Sequence, residues 1–192
     1  MQIVLAGATG LIGKQFLTLA LADPQVSRVV VLTRRPLALQ HPKLEEKVVD
    51  FEALIRDPKT LLLPPQAALV IALGTTRKKA GSEAAFRHVD YEMSLALARA
   101  ASHSQARGVL LVSAIGADSR SPVFYSRVKG ETERDIAAVG IPSCHFYRPS
   151  LLEGERSEKR SGERIAQILA PLYNPLLVGP LRRYRSVSSL RV

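Results

Sequence analysis

The sequence predicts an α/β fold built on a doubly wound parallel sheet, Rossmann-like with strand order 3-2-1-4-5-6, closed by a short C-terminal cap. Three observations carry that prediction. Short, continuous apolar runs rich in β-branched residues recur along the chain: QIVLA at 2–6, RVVVLT at 28–33, ALVIAL at 68–73 and GVLLV at 108–112. Segments with apolar residues at helical spacing lie between them. A glycine turn, GATGLIG at 7–13, joins the first run to the first of those segments. Uniformly apolar strands alternating with helices specify a parallel sheet covered on both faces.

The elements follow in order. The glycine turn opens a helix over 11–22, and 28–33 is a buried second strand. Residues 40–46 read as a connecting loop, and 47–49 as a third strand ending at Asp50, which is placed to cap a short helix beginning near Phe51. Pro58, Pro64 and Pro65 punctuate the return to a fourth strand over 68–73. The longest helical pattern covers 83–102, where Phe86, Val89, Met93, Leu97 and Ala100 form one apolar face. His88 and His103, within or beside it, read as surface or hydrogen-bonded histidines. A fifth strand at 108–112, a helix over 124–139 and a sixth strand at 144–148 complete the sheet. The expected order follows if the switch in winding lies beside the first strand. Residues 1–150 are thus expected to form a nucleotide-binding domain. Residues 151–192 should supply a cap or substrate segment of the same domain, with one helix near 163–170.

Composition narrows the class. A chain of 192 residues with 46% hydrophobic content suits one domain with a real core. No apolar run is long enough to span a bilayer, and the N-terminus enters a strand directly, so the expectation is a cytoplasmic protein without a membrane partner. The single cysteine, Cys144, excludes an internal disulfide framework, and four histidines without ligand spacing make no metal site. The formal net charge of +10 calls for anionic partners or a solvated basic surface. Arginines gather in 156–164 and 182–191 with few aromatics to stack bases, so no nucleic-acid partner is expected.

The glycine turn is where the chemistry begins. A backbone turning sharply at Gly7, approachable by a pyrophosphate near Gly10, and packing closely at Gly13 suits a dinucleotide seated on the helix N-terminus. The second strand ends at Arg34, where an acidic residue would select NAD through the ribose 2′-hydroxyl. A guanidinium clamps a 2′-phosphate instead, so NADP (NADPH) is the expected cofactor. Asp50 has two roles open, helix cap or acceptor for the adenine amino group. Gly74 and Thr75, at the end of the fourth strand, offer close backbone approach and a hydroxyl. The basic triplet Arg77, Lys78 and Lys79 follows, either as an attractor for phosphates or as solvated charge.

Ser113 stands at the carboxyl end of the fifth strand, the edge where open parallel sheets bind ligands. Tyr125 and Lys129 are four apart, on one face of the following helix. An ammonium beside a phenol with a free pKa of about 10 favours its ionised form. Tyr125 would then exchange a proton with a substrate oxygen, Ser113 would hold that oxygen, and Lys129 would grip the nicotinamide ribose.

These residues, with YSRVK at 125–129, resemble the short-chain dehydrogenase/reductase superfamily. LGTTRKKAGS (73–82), FRHVDYE (86–92), LVSAIGADSRS (111–121), FYSRVKGE (124–131) and YRPSLLEGER (147–156) are similar to the atypical NADP-binding oxidoreductases related to the Tat-interactive protein. The resemblance covers roughly residues 3–164. It implies an NADP-binding fold with Gly7, Thr9, Gly10, Leu11, Ile12 and Gly13 on the pyrophosphate, and Arg34 on the 2′-phosphate. Leu73 and Gly74 would lie beside the adenosine half, and Pro149 and Ser150 by the nicotinamide. Relatives in that family commonly continue past the segment aligned with 182–192 into a further helix.

Two functions remain open at this point. The first is an NADP(H)-dependent carbonyl reductase or alcohol dehydrogenase acting on a small carbonyl or alcohol through Ser113, Tyr125 and Lys129. The second is an NADPH-binding regulatory protein that engages a protein partner with little or no turnover. Epimerase or dehydratase chemistry on tightly held NAD uses the same scaffold, and Arg34 argues against it. The chain is expected to be a monomer or a homodimer.

Overall fold

The computed structural model describes residues 1–150 and two short strands, Leu152–Glu153 and Val187–Ser188. Six parallel strands form one sheet: β1 Gln2–Ala6, β2 Arg28–Thr33, β3 Leu44–Val48, β4 Ala68–Ile71, β5 Gly108–Val112 and β6 Cys144–Tyr147. Their order is β3-β2-β1-β4-β5-β6, as the alternation of apolar runs and helices requires. The short strands Leu152–Glu153 (β7) and Val187–Ser188 (β8) pair with each other in parallel. The helix expected near 163–170, the arginine clusters and the rest of the cap segment lie outside the described residues.

Period-two alternation along each strand divides the core between the two faces. Val4, Ala6, Val30, Leu32, Leu69, Ile71, Val109 and Leu111 face one side. There they meet helices α2 (Phe51–Arg56), α5 (Ser94–His103) and α6 (Phe124–Ala137). Ile3, Leu5, Val29, Val31 and Val70 face the other and pack with Leu17 and Ala20 of α1 (Leu11–Ala22). Continuous apolar strands are the signature of that two-sided burial, which is why β1, β2 and β5 match their sequence bounds.

β3 differs from expectation: it begins at Leu44 rather than at residue 47. Its sequence, LEEKV, is mixed because it pairs only with β2 at the sheet edge, where charged residues are the usual protection. Glu45 pairs with Arg28 on β2, and Glu46 accepts the Leu37 N–H at 2.7 Å. β4 ends at Ile71, two residues early, because the chain leaves the ladder to meet the glycine turn. A Cβ on Gly7 (φ +93°) would lie 2.4 Å from the Ala72 carbonyl oxygen, and one on Gly13 would lie 2.0 Å from the Gly7 carbonyl oxygen. Neither distance is tolerable, so the turn exists in this form only with glycine at both positions.

The long helix expected over 83–102 is not a uniform α-helix. Ser82 caps α4 (Glu83–Arg87) by accepting the Ala85 N–H at 3.0 Å, a π-helical stretch follows over His88–Met93, and α5 continues from Ser94. Phe86, Met93, Leu97 and Ala100 are buried as the spacing implied, and Val89 is partly so. Short helix α3 (Arg77–Ala80) holds the basic triplet, capped by Thr76. Its Arg77 pairs with Glu83 and lies over the Phe124 ring.

His88 joins two elements: Nδ1 lies 2.8 Å from Glu92 Oε2, and Nε2 lies 2.8 Å from Glu52 Oε1 on α2. The Glu92 carboxylate is the main cause of a raised imidazole pKa, with Glu52 adding to it and partial burial opposing. Because the folded value is raised, this tie is fully present below the unfolded value of about 6.5 and is lost as pH rises through the folded value. Thermal melts across pH 5 to 9 should therefore show this contribution constant below about pH 6.5 and lost above it, with the loss diminished in His88→Gln. In Gly13→Ala, the turn must move to admit the methyl group. Denaturant unfolding should show a loss of about 1–3 kcal/mol, the usual cost of overpacking a tight site.

Candidate functional site

Each candidate cofactor-binding or catalytic residue follows the carboxyl end of a strand or lies on a helix that starts there. Residues 7–13 follow β1, Arg34 follows β2, Asp50 follows β3, Leu73 to Thr75 follow β4, Ser113 follows β5, and Pro149 and Ser150 follow β6. Tyr125 and Lys129 occupy the first turns of α6. This is the crevice edge at which open α/β sheets take up ligands.

At the β1–α1 turn, Gly10 is the N-cap and no side chain bonds to the helix start. The exposed Gly10 has only the Gly7 and Ala72 carbonyl oxygens near its absent Cβ, at 3.3 and 3.8 Å. The start of a twelve-residue helix is thus left with backbone donors and a side-chain-free approach, the arrangement that accommodates a pyrophosphate. Arg34 is exposed, and no carboxylate pairs with it among the described residues. Asp50 serves as a cap: its Oδ1 accepts from the Glu52 and Ala53 N–H groups at 2.9 and 3.1 Å.

Ser113, Lys129 and Asp90 are among the buried polar groups on the elements around this edge. Ser113 is 6% exposed, its N–H bonds to the Tyr147 carbonyl at 2.7 Å, and its hydroxyl oxygen has no hydrogen-bond partner among the described residues. A buried hydroxyl without a partner is costly, typically about 1–3 kcal/mol, so it marks a position awaiting one. Lys129 is also buried, and its Nζ lies 2.7 Å from Oδ1 of Asp90 on the π-helical stretch. Asp90 Oδ2 accepts the Thr75 N–H at 2.9 Å. Tyr125 is 39% exposed, its ring 5.6 Å from that of Phe86. No hydrogen bond joins Ser113, Tyr125 and Lys129 to one another among the described residues. They share an edge, and the ammonium is directed to a carboxylate.

Two further contacts fix α6 against the loop that follows β5. A Cβ on Gly130 would fall 2.2 Å from the Asp118 carbonyl carbon and Ser119 nitrogen, so the loop lies directly on the helix backbone. Buried Glu133 receives Arg148 Nε at 3.0 and 3.1 Å, tying α6 to the residue before Pro149. The Ile115 N–H reaches the Pro149 carbonyl at 2.9 Å, so the exits of β5 and β6 are held together.

Asp90, Gly130 and Glu133 escaped the sequence reading, although each left a signal. Asp90 lies four residues after buried Phe86, a charge on an apolar face. Gly130 is a glycine inside a helix, which a packing contact explains. Glu133 lies four after Lys129 on the buried side of α6.

Comparison with known proteins agrees with this geometry. Residues 7–139 match the family model described as NAD(P)H-binding. The chain is 34% identical over 173 residues to the mitochondrial protein fmp52 of Emericella nidulans, covering 88% of this chain and 74% of the relative. It is likewise 34% identical over 174 residues to the mitochondrial FMP52 of Candida albicans, covering 88% and 75%. Among solved structures, WbmG of Bordetella bronchiseptica in complex with NAD superposes with a TM-score of 0.63 at 17% identity, covering 89% of this chain and 60% of that one. UDP-glucose 4-epimerase of Thermotoga maritima with UDP-glucose gives 0.65 at 15% identity, covering 88% and 62%. The chain spans about three-fifths of those two structures, and the likeness is one of fold.

The relatives correct one expectation. A cytoplasmic location was inferred from a chain lacking an apolar span and an evident leader, whereas the curated relatives are named as mitochondrial proteins. The physical reason is that a folded dinucleotide domain carries no mark of its compartment, which a separate targeting signal decides. With the glycine turn, the sheet order and the matched residues in agreement, the chain belongs to the NAD(P)H-binding family and has the Fmp52 proteins among its relatives.

Proposed function

We propose that this protein is an NADP(H)-dependent oxidoreductase of the short-chain dehydrogenase/reductase type, reducing a small carbonyl compound or oxidising the corresponding alcohol. The observation that carries the reading is the Ser113 hydroxyl, buried at the carboxyl end of β5 without a hydrogen-bond partner among the described residues. An unpaired donor at that edge suits a substrate oxygen, and Tyr125 on the neighbouring helix start supplies a phenol close to solvent.

In this reading, Gly7, Thr9, Gly10, Leu11, Ile12 and Gly13 receive the pyrophosphate through backbone N–H groups at the start of α1. Arg34 holds the 2′-phosphate, Leu73, Gly74 and Thr75 border the adenosine half, and Pro149 and Ser150 border the nicotinamide. Asp50, capping α2 through one oxygen, keeps the other for the adenine amino group. When bound, the nicotinamide supplies or accepts the hydride. Ser113 donates a hydrogen bond to the substrate oxygen and fixes its position. Tyr125 gives its hydroxyl proton to that oxygen in reduction and takes it back in oxidation. Lys129, its Nζ 2.7 Å from Asp90 Oδ1, presents ammonium donors to the ribose hydroxyls. The names of the Fmp52 relatives support a mitochondrial place of action.

Two measurements test the reading. Fluorescence titration should show NADPH binding more tightly than NADH, and Arg34→Ala should remove about tenfold of that preference, the scale of a charge-assisted phosphate contact. Tyr125→Phe should lower carbonyl-dependent NADPH oxidation by roughly 10²–10⁴ while NADPH affinity stays within about twofold. Equal turnover in Tyr125→Phe overturns the acid assignment. Tight NADPH binding without turnover over a broad aldehyde and ketone panel favours the regulatory function in its place.

A further inference from the structure

The basic residues that follow β4 have no part in the roles given to Ser113, Tyr125 and Lys129, yet they gather beside them. Arg77 and Lys78 lie on α3, just beyond Thr75, and Arg127 lies on the first turn of α6. Phe124 joins the two elements: the Arg77 Cζ stands 5.6 Å from its ring centroid, and the Arg127 Cζ stands 5.9 Å from it. That ring meets Phe86 edge-on at 5.7 Å, and the Tyr125 ring meets Phe86 at 5.6 Å. The proposed acid and the ring that carries both guanidinium groups are therefore seated on one buried phenylalanine.

The charge of this cluster is largely uncompensated. Glu83 pairs with Arg77 at 2.9 Å, and it is the one carboxylate paired with Arg77, Lys78 or Arg127 among the described residues. Asp118, in the loop before α6, accepts the Arg120 N–H at 2.9 Å. Arg77 and Lys78 are exposed, as are Val123 and Tyr125 at the start of α6, so the cluster opens to solvent next to the phenol. Arg127 is partly buried and held to the main chain. Its Nη1 donates to the Ser121 and Pro122 carbonyls at 3.1 and 3.3 Å, on the loop that leads from Ser113 to α6. Nε and Nη2, on the other edge of the guanidinium, have no partner among the described residues. That edge is the side-on fork that takes a carboxylate or phosphate through two parallel hydrogen bonds. Two guanidinium groups gathered at one ring repel each other, and an anion bound to them offsets that cost.

We propose that Arg127, with Arg77 and Lys78 beside it, determines substrate specificity by binding an oxyanion, a carboxylate or a phosphate, carried by the same molecule as the reacting carbonyl. The proposal rests on the reading of Ser113 and Tyr125 as the groups that meet the carbonyl oxygen. The substrate is then an acidic carbonyl compound. Surplus positive charge draws the anion in, the fork fixes it, and the carbonyl end is left to meet Ser113 and Tyr125. Anchoring of Nη1 to the main chain reduces the side-chain freedom lost on binding, so less of the contact is offset than at a mobile surface arginine.

Titration calorimetry on the full chain loaded with NADP tests this with aldehydes matched in shape. One series is para-formylbenzoate, para-formylphenyl phosphate and the neutral methyl para-formylbenzoate; the other is succinic semialdehyde and its methyl ester. At low salt an anionic aldehyde should bind about tenfold more tightly than its ester, the scale of one charge-assisted contact. That ratio should fall toward one as salt rises from about 0.02 to about 0.3 M. The larger gain, with carboxylate or with phosphate, identifies the anion. Arg127→Gln should bring the ratio down to about twofold or less, with NADPH affinity kept within about twofold and the apo melting temperature retained. Arg127→Lys keeps the charge and loses the fork, so it should recover only part of the ratio. A wild-type ratio of one in both series overturns the proposal, as does a ratio that Arg127→Gln leaves intact. Should neither Arg127 variant fold, the wild-type chain decides, because a ratio that salt leaves unchanged overturns it as well. Turnover is separate from this readout: an anionic preference without NADPH oxidation overturns the reductase reading alone, and acids and esters reduced at equal affinity overturn this proposal alone. A chain that binds none of the aldehydes overturns both.

Discussion

The contact between the glycine turn and the exit of β4 is the constraint on which the rest of the molecule depends. Gly7 at φ +93° brings the chain after β1 against the Ala72 carbonyl, and Gly13 brings the first turn of α1 against Gly7 itself. Main chain meets main chain at both points, with no side chain between to relax. The helix start is thereby set at the sheet's carboxyl edge with its backbone donors uncovered. Ala72 closes the β4–β1 ladder with its N–H on the Ala6 carbonyl at 2.8 Å, and the chain beyond it brings the Thr75 N–H to Asp90.

On the opposite half of the sheet, polar contacts take over the role of close backbone packing. The Asp90–Lys129 pair, the Thr132 hydroxyl and the Glu133–Arg148 pair all join α6 to its surroundings, and all involve residues buried on that helix. Gly130 adds a backbone approach to the 118–119 peptide, so the helix that carries Tyr125 and Lys129 lies directly on the loop after β5. Charges carry an orientational demand that apolar packing lacks. The Asp90 carboxylate takes the Thr75 N–H on one oxygen at 2.9 Å and has the Lys129 ammonium 2.7 Å from the other, so both groups are held to one place.

The mixed character of the edge follows from the same economy of place. At β3 the sheet ends in water, and LEEKV uses its charges to pair with Arg28 and to receive the Leu37 amide instead of adding to the core. His88 closes the outer side of the π-helical stretch by bridging Glu52 and Glu92, while Asp90, two residues on, serves its inner side. One short irregular stretch thus anchors α2 on one flank and the nucleotide edge on the other.

The sequence by itself determined the sheet, its order and the edge where ligands bind, because those depend on signals repeated along the chain. Apolar runs at 2–6, 28–33 and 108–112, each bounded by turn residues, leave little choice of strand. The demands on Gly7 and Gly13 are likewise local, and the seven-residue turn displays them. The tertiary structure decided what meets what across distance: Asp90 with Lys129, Glu133 with Arg148, Gly130 with the loop after β5. Each is a single residue whose purpose appears only when a partner 11 or more positions away is brought against it, so spacing along the chain cannot reveal it. The edge strand β3 falls between these cases, since it pairs with β2 alone and its own pattern of charges reads as loop.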